Sequence, residues 1–120
     1  MYCRRKEDKF VGPLGTRDTP LQYFQSNIEG EIISKIQEFG FDYDGIVLNA
    51  GAYTHTSIGI GDAVKAIKTP VIEVHISNPL SREEFRHTSV ISGVVNGTIG
   101  GFGLQSYELA LRTISTIKAR

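Results

Sequence analysis

Two apolar runs, Gly45–Ala50 (GIVLNA) and Val71–Ser77 (VIEVHIS), constrain this chain most, because each is rich in β-branched residues and each ends in polar side chains. Between them, Ser57–Lys68 places Ile60, Val64 and Ile67 at helical spacing. Strand, amphipathic helix and strand make the βαβ unit of a parallel sheet, with helices packed on its faces. Ligands of such open sheets sit beyond the carboxyl ends of the strands. Asn49 ends the first run and His75 with Ser77 ends the second, so an amide, an imidazole and a hydroxyl should face one crevice.

The flanking segments extend the same alternation. Leu21–Gln25 reads as a strand. Ser26 with Glu29 makes a capping box for a helix whose apolar face is Ile32, Ile33, Ile36 and Phe39, stopped by Gly40. Pro70 opens the VIEVHIS strand, Arg82–His87 reads as a short helix, and Val90–Phe102 holds a last strand ending in glycines. Tyr107, Leu111, Ile114 and Ile117 form the buried face of a final helix. The first twenty residues break the pattern. MYCRRKEDKFV is too charged for the buried central strand of such a sheet, and GPLGTRDTP reads as a loop. Residues 1–120 are therefore expected to form one domain with an atypical, shortened segment at 1–20.

Bulk composition excludes several classes of function. Thirteen basic and thirteen acidic side chains cancel, removing the electrostatic case for nucleic acid or an anionic membrane as the main partner. The single Cys3 cannot form an intrachain disulfide, and no apolar run approaches the ~18 residues of a membrane helix. MYCRRKEDKF has no following apolar core and so is not a secretory signal; a cytoplasmic location is expected, and the Asn96-Gly97-Thr98 sequon is read as incidental.

LQYFQSNIEGEII, DGIVLNAGAYTHTSI, PVIEVHISN, REEFRH and GFGLQSYELAL, in this order and spacing, resemble the type II 3-dehydroquinate dehydratases, the dehydroquinases of shikimate and quinate metabolism. GPLGTRDTP resembles the family's early glycine-rich loop in a shortened form. The resemblance implies a flavodoxin-like three-layer α/β sandwich with a parallel sheet, assembled as a dodecamer of trimers, using neither metal nor organic cofactor. It implies a hydro-lyase that eliminates water in the anti sense from 3-dehydroquinate, giving 3-dehydroshikimate through an enolate on the way to aromatic amino acids. A tyrosinate takes the proton beside the ketone and a histidine protonates the departing hydroxyl.

Carried over residue by residue, the resemblance makes His75 the general acid, with Glu73 on the same strand orienting it. An imidazole suits that work because its unperturbed pKa of ~6.5 lies near operating pH. Asn49 corresponds to the contact with the leaving hydroxyl. His55, Ile76, Ser77 and Arg86 correspond to substrate-binding positions, Ile76 through its backbone, with Arg82 as an additional anion-side candidate. Asp62 matches an aspartate that reaches the site of a neighbouring subunit. Arg17 matches the arginine that lowers the pKa of the catalytic tyrosine, help that a phenol of pKa ~10 needs.

The departures all precede residue 21. The family has asparagines between its Gly-Pro and its Leu-Gly, whereas here Pro13 is followed at once by Leu14 and Gly15. The family's tyrosine stands on a lid shortly after its arginine; here Tyr23 is near that offset, but its neighbours assign it to a strand. First strand, lid and first helix are thus expected to be abbreviated or absent. Two alternatives follow. One is a noncatalytic dehydroquinase-like protein that binds substrate or assembles without the tyrosine base. The other is a phosphate or nucleotide module built on Gly97–Gly103, whose glycines could bring backbone amides to an anion. Its glycine order is not Gly-x-Gly-x-x-Gly, and no Lys-Ser or Lys-Thr follows.

Overall fold

The computed structural model describes residues 1–5 and 21–117. Five strands form one sheet: β1 (Tyr2–Arg5), β2 (Leu21–Tyr23), β3 (Tyr43–Leu48), β4 (Val71–His75) and β5 (Gly97–Gly100), in the order β2-β1-β3-β4-β5. Helices α1 (Glu29–Glu38) and α2 (Ile58–Ala66) cover one face and α3 (Gln105–Ile114) covers the other. The strand alternation decides which side chain meets which layer. Ile46, Leu48 and Val71 join Ile36, Ile60 and Val64 under α1 and α2, whereas Val47, Ile72 and Val74 meet Ala110, Leu111 and Ile114 of α3. This is the flavodoxin-like three-layer arrangement.

β3, β4 and β5 are parallel, with Leu48 opposite Glu73 and His75 opposite Gly100. β1 departs from expectation in two ways. Its sequence argues against a central strand, yet Tyr2–Arg5 lies between β2 and β3, and it runs antiparallel to both. The backbone supplies the reason for its place, since an unfilled slot would leave the ladder groups of β3 without partners.

Local signals deviate less. α2 begins where expected, with the Ser57 hydroxyl accepting from the Ile60 amide at 3.0 Å. α1 starts later than the capping box implies. Ile28 is its N-cap, while Ser26 accepts from the Ile28 amide and reaches Glu31 rather than Glu29. Arg82–His87 is not an α-helix; two 3₁₀ turns, Pro79–Ser81 and Glu84–Arg86, occupy the region. The last strand is confined to Gly97–Gly100. Among the described residues, no helix is long and apolar enough to cross a membrane.

Candidate active site

The two polar strand ends meet as their positions require. Asn49 follows β3, and His75, Ile76 and Ser77 end and follow β4, all on the rim of a cleft of about 300 Å³. His55, from a 3₁₀ turn after β3 (Gly51–His55), closes one side, and Arg82 and Arg86 close another. Seven residues expected from sequence are thereby brought together. The two guanidiniums give the cleft the character of an anion site, because planar forked donors match a carboxylate.

His75 is held from behind. Its Nε2 lies 2.5 Å from Oε2 of Glu73, two residues earlier on the same face of β4. Glu73 is only 1% exposed, so its carboxylate depends on protein donors. Ser92 Oγ stands 2.9 and 3.0 Å from the two carboxylate oxygens, and Ser89 Oγ donates to Oε1 at 3.3 Å. Since a carboxylate accepts, Nε2 carries the proton. Nδ1 is therefore the ring nitrogen left to serve a ligand.

The other cleft residues are also fixed. Asn49 Nδ2 donates to the Tyr107 hydroxyl at 2.9 Å while Oδ1 accepts from the Gly51 amide at 3.0 Å, so the amide is oriented from both ends. His55 Nδ1 donates to the Thr88 carbonyl at 2.7 Å, which leaves Nε2 available. Arg86 Nε donates to Glu83 at 2.7 Å, and its guanidinium lies over the Phe85 ring. Glu83, fully exposed, has its carboxyl held below the usual range by its own backbone hydrogen bond and then by Arg86. His87 Nε2 donates to the Arg82 carbonyl at 3.0 Å, tying down the loop.

The glycine run Gly97–Gly103 serves packing. A Cβ on Gly100 would lie 3.2 Å from the His75 Cβ, and Gly101 and Gly103 have positive φ at the turn into α3. Asn96 of the sequon bonds both backbone groups of Val71, receiving its amide at 3.0 Å and donating its own at 2.8 Å.

The structure does not bring Asp62 to this cleft. It is on the exposed face of α2. Arg17 lies outside the described residues. Tyr23 ends β2, as its neighbours imply, is 64% exposed, and lines an adjoining basin of about 690 Å³ that shares Asn49 and Ile76 with the cleft. Sequence reasoning missed Ser89, Ser92 and Tyr107, which reach Glu73 and Asn49 across 16, 19 and 58 positions and follow no local pattern.

A profile of the family described as "Dehydroquinase class II" matches residues 7–115. The chain belongs to that family. A 3-dehydroquinate dehydratase of a Nitratiruptor species is 59% identical over 91 residues, covering 76% of this chain and 58% of that protein. One from an Exiguobacterium species is 55% identical over 97 residues, covering 81% and 66%. The chain thus spans about six tenths of the length of these relatives. The type II dehydroquinase of Butyrivibrio crossotus DSM 2876 superimposes with a TM-score of 0.75 at 50% identity, covering 79% of this chain and 67% of that one. That of Propionibacterium acnes gives 0.72 at 44%, covering 78% and 68%.

Proposed function

We propose that this protein is a type II 3-dehydroquinate dehydratase, a hydro-lyase that forms 3-dehydroshikimate by anti elimination through an enolate. The observation that carries the proposal is the imidazole of His75, backed by buried Glu73, facing Arg82 and Arg86 across the cleft. The substrate carboxylate would be held by Ser77, the Ile76 backbone and Arg86, with Arg82 adding positive charge. His55 would contact a hydroxyl, and the remaining Asn49 N–H would reach the leaving oxygen. A proton leaves the carbon beside the ketone to a base, an enolate forms, the C–O bond breaks, and Nδ1–H of the His75 imidazolium protonates the departing oxygen to give water. His75 is left neutral, its Nε2 proton still directed at Glu73. Family membership supports this assignment of roles, and the fixed orientation of the cleft's donors supports it further.

The base is the part without a matched residue, since no tyrosine stands between Tyr2 and Tyr23. Turnover by the residues present should fall ~10²–10⁴-fold short of a complete acid–base pair. Asp62 would complete the cleft of a neighbouring copy in a dodecamer of trimers, a role that fits its exposed position on α2. The test is conversion of 3-dehydroquinate by the purified protein, followed by ultraviolet absorbance of the conjugated product, with the intact mass of the same sample recorded. Slow conversion that disappears in His75→Ala is the expected result. Binding without conversion would indicate the noncatalytic alternative, and absence of both would overturn the assignment.

A further inference from the structure

We propose that Ser92 is a positioning residue for the general acid, acting through Glu73 on His75. The inference rests on reading His75 as that acid. Glu73 is a buried carboxylate whose hydrogen-bond partners among the described residues are His75 and two hydroxyls from a single loop. Ser92 is the closer of the two, with Oγ within 3.0 Å of both carboxylate oxygens, so its one proton can serve either. Without Ser92 the carboxylate would keep, besides His75, only the longer 3.3 Å bond from Ser89 to Oε1, and it could rotate about its terminal bond, which is a broad torsion. The ring would then lose the feature that selects its tautomer.

The loop is built to aim that hydroxyl. Ser89 Oγ accepts from the amides of Ile91 and Ser92 at 3.2 and 3.0 Å, closing a tight turn. The Val90 amide donates to the Thr54 carbonyl at 2.8 Å, stitching the turn to the segment that carries His55. Ile91 is completely buried and anchors the turn in the core under α1 and α2. Gly61 permits this approach, because a Cβ there would stand 3.1 Å from the Val90 carbonyl oxygen. Ser92 thus projects from a rigid turn, and the chain Ser92–Glu73–His75 runs from that turn to the cleft. The arrangement follows the general rule that a functional imidazole is oriented through its second nitrogen by an acceptor that is itself hydrogen-bonded.

The primary readout is independent of turnover: long-range ¹H–¹⁵N spectra of His75 in the neutral ring state. The parent chain should show one tautomer, protonated at Nε2. Ser92→Ala should give a mixture of the two tautomers, and Ser92→Thr, which keeps the hydroxyl, should restore the single form. Ser92→Cys, nearly isosteric and a weak donor, serves should the alanine variant not fold, with a mixture again expected. In turnover, Ser92→Ala should lower kcat by ~10–100-fold with KM little changed, since no substrate contact is removed. An unchanged His75 tautomer in a folded Ser92→Ala or Ser92→Cys chain would overturn the proposal. A parent chain without turnover that still shows the tautomer change would remove the dehydratase reading and leave the positioning role standing.

Discussion

Arg86 shows how neighbours set the direction of a side chain. Glu83 takes Nε and Phe85 underlies the guanidinium plane, so the two terminal nitrogens have no hydrogen-bond partner among the described residues. Nothing in the local pattern distinguishes Glu83 from a solvated acid, yet it sets the direction of the guanidinium. Arg86→Ala should raise the dissociation constant of 3-dehydroquinate by ~10–100-fold, the equivalent of a charged hydrogen bond worth about 1.5–3 kcal/mol. Glu83→Gln should have a smaller effect of the same sign at neutral pH. The depressed carboxyl of Glu83 fixes the pH window. A group whose folded pKa is lowered contributes above its ordinary value and loses its contribution as pH falls through the lowered one. Titration calorimetry should therefore find the parent-to-Glu83→Gln difference constant through the neutral range and vanishing only in acid. A difference that disappeared near neutrality would argue against the Glu83–Arg86 pair.

Among the elements, the sequence was most legible where one local rule controlled the outcome. Ser57 caps α2, β-branched runs became β3 and β4, and Ile36, Ile60 and Val64 turned inward as their spacing requires. Legibility stopped where distant backbone decided. Gly40 follows the end of α1 as a helix stop should, but it also makes a close approach that no local signal shows: a Cβ would lie 2.3 Å from Ile67 Cγ2, and its carbonyl accepts from the amides of Lys68 and Thr69. Those bonds keep the backbone from yielding. Gly40→Ala should therefore cost about 1–3 kcal/mol as an overpacked junction. Thermal unfolding checks this directly; an unchanged or raised Tm would show that Ile67 can move aside. The same limit explains the site. Strand ends place Asn49, His75 and Ser77 on one cleft, whereas Ser92 and Tyr107 reach its surroundings through pairings that no local period encodes.

For the whole molecule, Asp62 raises the question of how much of the site a single copy owns. On exposed α2, it does not line its own cleft. That position suits a protein whose cleft is finished by an adjoining copy in a cyclic, head-to-tail contact. Such sharing has a measurable signature. Asp62→Ala and His75→Ala should each lack most activity alone, the first by failing its neighbour and the second by losing its own acid. Unfolded together and refolded at equal ratio, about a quarter of the sites would pair an intact His75 from one variant with an intact Asp62 from the other. Activity should then recover toward that fraction of parental turnover, with Kd restored alongside it. If Asp62 acted within its own copy, every mixed assembly would hold only singly impaired sites and activity would stay at the mean of the two variants; if the cleft did not use Asp62, Asp62→Ala alone would keep parental activity.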